Sequence, residues 1–221
     1  MALAALPRRD AAAREHLDNL GRQSRPVVLA RDRAVELSGD LGGLIPGGAI
    51  VRGSVLCVEN DVPGAGSTSV AFELAAAVTA VGEWAAAIDL DDTLGVLAAH
   101  EAGVALDRFA VVRRVPPSRW ATVVAALLDG VSLVLVEVPR GIGAADARRL
   151  VARARERDAI LVVCAPAGRW QAGAVLTFRA ESSAWVGLDD AGYLRSRSLH
   201  VVVEGRGVAA RPAVGELARA V

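Results

Sequence analysis

The chain has 221 residues, 53% of them apolar, and its 25 Lys+Arg residues balance its 25 Asp+Glu residues. This length suits one domain with a sizeable core, and zero net charge excludes a general electrostatic attraction to nucleic acid or membrane. All of the Lys+Arg residues are arginine, because the chain contains no lysine.

The cysteine and histidine content argues against a metal centre and against a disulfide framework. Cys57 and Cys164 lie inside apolar runs, where a buried thiol is expected to pack as a small hydrophobe. The histidines, His16, His100 and His200, are scattered without metal-ligand spacing. No apolar run spans a bilayer, and none precedes the first arginines as in a signal peptide. We therefore expect a cytoplasmic protein without a metal or a cofactor.

The hydrophobic pattern predicts strands that alternate with helices. The N-terminal part is predicted to form a helix and a short apolar strand, followed by a glycine-rich bend, at residues 10–20, 26–30 and 38–48. Further strands are predicted at residues 55–58, 85–89, 109–112, 131–138 and 159–164, and helices at residues 67–81, 94–102, 118–128 and 144–157. Because these strands are continuously apolar, they indicate a mostly parallel sheet that is covered on both faces.

The pattern changes after Pro166. Short strands at residues 175–178, 183–188 and 199–204 predict an antiparallel extension of the same sheet, with a turn at residues 189–192. A short helix is expected at the end of the tail. The chain is thus predicted to have an N-terminal arm, a core and a C-terminal tail, at residues 1–37, 38–207 and 208–221.

The loop after the first core strand has the frame of a phosphate-binding loop. In working loops the pattern is G-x-x-x-x-G-K-[ST], in which backbone N–H groups hold the phosphates, the lysine reaches them and the hydroxyl holds Mg²⁺. Gly66 and Thr68 match and Gly64 lies within the loop, but Asp61 stands at the first glycine position and Ser67 at the lysine position. Ser67 and Thr68 either bind an anion at the helix N-terminus or simply cap it. The loop therefore predicts a nucleotide-binding architecture without ATPase activity.

The order of the elements resembles the RecA recombinase core from residue 26 to residue 206. Residues 41–48 (LGGLIPGG) resemble that family's bend before the phosphate loop. Residues 87–94 and 101–107 resemble its second strand, catalytic acid and following helix, and residues 133–137 resemble its Walker B strand. The resemblance implies an α/β, RecA-like, mostly parallel sheet flanked by helices, with an N-terminal helix and strand arm and a C-terminal antiparallel extension.

The departures from the RecA pattern remove its catalytic groups. By resemblance, the catalytic glutamate position falls on Asp91, the Walker B aspartate on Glu137, the adenine-stacking aromatic near Ala98 and the γ-phosphate sensor on Pro166. Loss of one group that stabilises phosphoryl transfer costs several kcal/mol of transition-state stabilisation. We therefore expect no catalytic residue and regard the remaining positions as a vestigial nucleotide site.

Two acidic features at strand ends leave alternatives open. Asp89, Asp91 and Asp92 either position a metal ion or water, or form a solvated loop that caps the next helix, and the absence of lysine favours the loop. Glu137 is either a vestige of the Walker B acid or the partner of a nearby arginine, and we favour the vestige.

Two loops are candidates for contact with single-stranded DNA. In RecA relatives the loops after the fourth and fifth strands hold the strand, and they match residues 139–143 and 165–173 here. Each carries an arginine among glycines, Arg140 and Arg169, and the second adds Trp170. An arginine beside an aromatic ring forms a minimal stacking platform for bases. Alternatively, Trp170 packs on its own domain and Arg169 is a surface charge.

A degenerate RecA-like chain rich in arginine resembles the ImuA′-type accessory factors of GC-rich actinobacteria. These proteins are encoded with the Y-family-like protein ImuB and an error-prone replicative-type polymerase, and the group acts in mutagenic translesion synthesis. The resemblance implies a non-catalytic adaptor with an ImuB-type partner, self-association through the N-terminal arm, weak contact with single-stranded DNA and no membrane partner. A SulA-like inhibitor of cell division and a weak nucleotide-binding switch are the alternatives.

Overall fold

The chain divides into two compact units, Met1–Arg33 and Ala34–Val221. A computed structural model describes residues 33–170, 172–188, 194–205 and 212–220. The helix and strand predicted for the N-terminal arm, at residues 10–20 and 26–30, lie outside the described residues, as does the turn predicted at residues 189–192. The architecture below is that of the second unit.

Strands and helices alternate along most of this unit. The strands are β1 (Ala34–Glu36), β2 (Ala49–Val51), β3 (Val55–Glu59), β4 (Ala85–Asp89), β5 (Phe109–Arg113), β6 (Leu133–Glu137), β7 (Ile160–Ala165), β8 (Ala174–Leu188), β9 (Leu194–Gly205) and β10 (Ala213–Ala220). The helices are α1 (Gly39–Leu44), α2 (Ser67–Ala80), α3 (Val96–Glu101), α4 (Pro117–Gly130) and α5 (Ala144–Arg157), with 3₁₀ turns at Pro46–Gly48 and Leu106–Arg108.

Most of the strands form one eight-stranded sheet in the order β10-β9-β8-β3-β7-β6-β4-β5. The six strands from β8 to β5 are parallel to one another. β9 is antiparallel to both of its neighbours, β8 and β10. β1 and β2 form a separate antiparallel pair. The predicted α/β class, with a mostly parallel sheet and a C-terminal antiparallel extension, is confirmed.

Helices cover both faces of the large sheet and create two core layers. On one face α2 packs through Phe72 and neighbouring apolar residues against strand residues that include Leu56. On the other face α4 and α5 pack against residues that include Cys57, and Trp120 is fully buried there. Since successive side chains of a strand point to opposite faces, the continuous apolar runs supply both layers at once.

The connection from β7 to β8 is a parallel crossover without a helix. β3 lies between these two strands, so residues 166–173 pass over it. Parallel crossovers usually need a dozen or more residues and a helix. Here Trp170 belongs to the core layer of α4 and α5, which places the crossover on that face. This crossover is the segment that was predicted to be a DNA-binding loop.

The antiparallel extension differs from its prediction in two respects. The strands predicted at 175–178 and 183–188 are one strand, β8, whose register shifts between Ala180 and Ser182. The extra residue of this bulge, Glu181, places its carboxylate 3.3 Å from His200. The helix expected in the tail was wrong, because β10 pairs with β9 along its whole length.

Candidate functional site

A cleft of about 420 Å³ lies at the carboxyl ends of β4, β6 and β7. Its lining brings together four of the predicted site residues, Asp91, Glu137, Arg140 and Arg169. In open α/β sheets, ligands bind outside the carboxyl ends of the strands. The cleft therefore has the location of a binding site, with two carboxylates and two guanidinium groups in its wall.

The other residues of the predicted nucleotide site lie on the loop at residues 60–66 and the first turn of α2. Asp61, Gly64, Gly66, Ser67 and Thr68 are not among the described residues that line the cleft. The structure thus separates the predicted site into an acidic and basic cleft and a neighbouring loop. Each part has its own set of contacts.

Asp61 ties the loop to the crossover between β7 and β8. Both of its carboxylate oxygens accept from the backbone N–H of Ala167, at 2.8 and 3.1 Å. The aspartate at the first glycine position therefore holds a structural contact, and it also keeps a negative charge on a loop that would otherwise receive phosphates.

The loop is held on its other side by the antiparallel extension. The carbonyl oxygen of Gly64 accepts from the hydroxyl of Ser183 on β8 at 2.8 Å and from the guanidinium of Arg197 on β9. Arg197 also donates to the Ser183 hydroxyl at 3.1 Å and stacks on Trp185, 5.1 Å from the ring centroid. A guanidinium group does stand at this loop, but it is bound to a backbone carbonyl and a ring of its own chain.

Gly66 is required by the close approach of the extension. It holds the N-cap position of α2 with φ 106°, in the left-handed region that favours glycine. A Cβ atom there would lie 2.5 Å from a methyl carbon of Leu199. Because the N-cap is a glycine, no side chain caps α2 from that position, and simple capping by Ser67 or Thr68 is not the arrangement observed.

The acidic cluster at the carboxyl end of β4 holds the following loop in place. Asp89 is fully buried and accepts from the backbone N–H groups of Thr93 and Leu94 at 2.9 and 3.2 Å. Its carboxylate also lies 3.3 Å from Arg113, which reaches Asp92 at 2.9 Å. These contacts fix the loop ahead of α3. Asp91 and Asp92 are exposed, as expected of a solvated loop, but Asp89 is buried and no side chain caps α3 at its N-cap, Gly95.

Glu137 meets a backbone group and not an arginine. Its carboxylate accepts from the N–H of Leu90 at 3.2 Å. Burial raises the pKa of Glu137 above its ordinary value, and the nearby charges of Asp91 and Asp89 raise it further, although the hydrogen bond opposes them. The cleft is therefore a poor place for further negative charge unless a cation enters with it.

The residues predicted to contact DNA are placed differently from one another. Arg140 and Arg169 are exposed, and both line the cleft. Trp170 is only 7% exposed, and its indole N–H donates to the carbonyl of Ala172 at 2.7 Å. The burial of Trp170 fits the alternative in which the ring packs on its own domain, and contact with DNA stays a prediction.

Both cysteines are free thiols in the core. Burial raises the pKa of Cys57 to about 11, helped by the charges of Glu59 and Asp61. Burial also raises the pKa of Cys164, which borders the cleft. Both shifts disfavour the thiolate, which is the reactive form of cysteine, at neutral pH.

The residues that sequence reasoning missed are those that hold the loops. Ser183, Arg197 and Arg113 act on partners far along the chain, up to 133 residues away for Arg197 and Gly64. No local spacing signals such a contact. The sequence carries all of its basic charge on arginine, but this does not indicate which arginines are engaged.

Within the described residues, no cluster of three or more metal-ligating side chains is present. None of the described helices is long and apolar enough to cross a membrane. A family model described as the MT3502 N-terminal domain matches residues 43–172, which is more than half of the chain. No curated protein matches the chain.

Proposed function

The chain belongs to the family of the MT3502 N-terminal domain, and we propose that it acts as a non-catalytic RecA-like adaptor in damage-induced mutagenesis. In this role it links an ImuB-type protein and an error-prone polymerase at damaged DNA in the cytoplasm. The description of the family names no activity, so the resemblance of the sequence to RecA and ImuA′-type proteins supplies the biological role.

One observation carries the non-catalytic part. The loop that would receive phosphates is bound by its own chain on both sides, through Asp61 to the crossover and through the Gly64 carbonyl to Arg197. It has no lysine, and Asp61 brings a negative charge. Catalysis of phosphoryl transfer depends on free hydrogen-bond donors aimed at the phosphate. An adaptor needs only the rigid frame of the loop and no such donors.

An edge of the sheet supports an assembly role. Among the described residues no strand pairs with the outer side of β5, and its neighbourhood exposes apolar side chains, Trp84 at 46%, Leu106 at 40% and Val111 at 36%. An exposed edge strand is a template for pairing with another chain. The opposite edge differs, because the backbone N–H of Ala218 on β10 donates to Asp40 of α1.

We further propose that the predicted strand at residues 26–30 (PVVLA) docks on this edge of a neighbouring copy or partner. A buried Val or Leu contributes ~1.5–3 kcal/mol, reduced by the cost of ordering the strand. Deletion of residues 1–31 is expected to leave a folded core that no longer self-associates or no longer recruits its partner. Light scattering and circular dichroism on the deletion protein and the full chain measure both properties.

The adaptor role is tested by co-purification of the full chain with its ImuB-type protein, each expressed with a separate tag. We expect a stable complex that survives Thr68→Ala, since the vestigial loop takes no part. If no complex forms and the chain instead binds the tubulin-like division protein, the SulA-like alternative replaces the adaptor. A complex whose stability depends on Mg-ATP would favour the nucleotide switch.

A further inference from the structure

Four arginine side chains that have no partner in the described part of the chain surround one continuous surface beside the β7–β8 crossover. Arg140 and Arg169 line a cleft that also includes Ala144 and Ala172. A second cleft, lined by the α5 residues Arg148 and Arg155, shares the same two alanines. The two clefts therefore adjoin, and their combined lining is called the α5–crossover surface below.

The charge of this surface is unlike that of the chain as a whole. Among the described lining residues of these two clefts there is no Asp or Glu, although the chain has as many acidic as basic residues. Arg140 and Arg169 also line the neighbouring cleft that holds Asp91 and Glu137, whereas Arg148 and Arg155 line the α5 part of the surface, outside that cleft. Within the described part of the chain, the side chains of Arg140, Arg148, Arg155 and Arg169 form neither a hydrogen bond nor an ion pair, and all four are exposed.

On the other side of the same helix the arginines are paired with carboxylates. Arg149 donates to Asp146 at 2.6 Å, and Arg153 makes two bonds of 2.6 Å to Asp129. Hydrogen bonding from Arg153 lowers the pKa of Asp129. Helix α5 thus carries satisfied arginines on one side and unsatisfied ones on the side that faces the crossover.

We propose that the α5–crossover surface binds the phosphate backbone of a nucleic acid strand. Guanidinium groups present planar, bidentate donors that match phosphate oxygens. Arg148 and Arg155 stand two turns apart, about 10 Å along the helix axis, so they reach different phosphates of one strand. Contacts of this kind position a strand without reading its sequence.

The absence of apolar anchors decides between nucleic acid and an acidic protein segment. Protein interfaces depend on large apolar or aromatic side chains that fill pockets at their centre. None of the large exposed hydrophobic side chains found among the described residues lines either cleft. Trp170 is buried, so base stacking on it is not part of this surface.

This inference rests on the proposed function in one respect, since an adaptor at damaged DNA must be held there. The predicted DNA contact involved the loop residues Arg140, Arg169 and Trp170. The proposed surface adds Arg148 and Arg155 of α5, and it binds phosphates of the nucleic acid instead of stacking on its bases. It also predicts a strong salt dependence, because each neutralised phosphate releases counterions.

The test measures fluorescence anisotropy of a labelled oligothymidylate with the full chain over a salt series, and with a duplex of mixed sequence in parallel. The double variant Arg148→Gln/Arg155→Gln is expected to bind roughly tenfold more weakly at low salt. Its slope of log affinity against log salt should shrink by about 1.4, about 0.7 for each lost contact to a single strand. The matched control Arg149→Gln/Arg153→Gln removes the same charge from the other side of α5 and should bind like the parent chain.

Three outcomes overturn the proposal: no binding by the parent chain at low salt, an equal loss in both double variants, or equal competition by polyglutamate at matched charge. The last would assign the surface to an acidic protein segment. Tighter binding of the duplex than of the single strand would support the proposal and would show that the surface prefers double-stranded nucleic acid. The Arg148→Gln/Arg155→Gln protein should still capture the ImuB-type protein, so failure here and failure of the adaptor role are separate results.

Discussion

The phosphate-loop region and the α5–crossover surface use their polar groups in opposite ways. At the loop, Asp61 accepts from the backbone N–H of Ala167 and the Gly64 carbonyl accepts from Arg197, so these polar groups are engaged within the chain. At the surface, Arg148 and Arg155 have no partner among the described residues. The region that most resembles an enzyme site therefore has polar groups that are already engaged within the chain, whereas the surface proposed to bind phosphates lies on a helix face that carries no motif.

The phosphate-loop frame has a structural role in this chain. Asp61 holds its loop to the crossover, and the antiparallel extension holds it on the other side and packs so closely that Leu199 reaches the N-cap of α2. A motif frame and a binding site can therefore be separate regions of one molecule.

The largest effect is expected from Gly66→Ala. An alanine at this position would have to keep an unfavourable positive φ, and its Cβ would lie too close to Leu199. We therefore expect the free energy of unfolding to fall by about 2–3 kcal/mol. Gly64→Ala is the matched control, because Gly64 also has a positive φ, 76°, but open space around its Cβ position. It should cost only about 1 kcal/mol. Urea titrations of both variants measure the difference, and equal losses would mean that the extension does not press on the loop.

Removal of the Arg197 hydrogen bond to the Gly64 carbonyl should lower the free energy of unfolding by a smaller amount. Arg197→Met keeps an apolar stem over Trp185 but removes the donor to Gly64, and we expect a loss of about 1–2 kcal/mol, as for hydrogen bonds from charged donors. The neighbouring variant Ser183→Ala removes a neutral donor and should cost about half as much. If Arg197→Met unfolds like the parent chain, the contact between extension and loop contributes nothing to stability.

A pH-dependent effect is expected at Glu137. Its raised pKa means that the folded protein keeps this proton to a higher pH than the unfolded chain, whose value is near 4.5. Stability therefore falls as pH rises from the unfolded to the folded pKa, and the loss is complete above both. Glu137→Gln is always neutral and still offers an acceptor to Leu90.

Thermal unfolding of Glu137→Gln should consequently occur at a higher temperature than that of the parent chain at neutral pH, with the gap closing below the unfolded pKa. Glu101→Gln, at an exposed position on α3, is the control and should show no such gap. A destabilised Glu137→Gln at neutral pH would instead assign a cation partner to this carboxylate.

The smallest effect on stability is expected at the charged surface. Arg148→Gln/Arg155→Gln removes two exposed side chains without partners, so the free energy of unfolding should stay within about 0.5 kcal/mol of the parent value. A clearly larger loss would show that these arginines already support the fold, and the contrast with the loop would fail.

The sequence predicted most of the parallel core because its signals are local. Continuous apolar runs placed β6 and β7, and the spacing of apolar residues placed α5 at the observed bounds. β1 and β2 are three residues long, which is too short for any period to appear. In β10, Ala, Leu, Glu and Arg favour a helix, but pairing with β9 overrides that propensity.

The site was less predictable because its decisive contacts are long-range. The spacing of glycines and the missing lysine indicated a phosphate-loop frame without its cation. It did not show that Asp61 turns to Ala167, 106 residues away, or that Arg197 occupies the loop carbonyl. The same limit applies to Trp170: the sequence left open whether its ring stacks on bases or packs on its own domain, and the long-range packing of the crossover buries it.

Calorimetric titration of the full chain with Mg-ATP shows whether the loop still binds the ligand of its motif. We expect no micromolar binding, since Asp61 and the missing lysine leave the phosphates without a cation. Saturable micromolar binding that Thr68→Ala abolishes would contradict it and would return the chain to the class of nucleotide-dependent proteins.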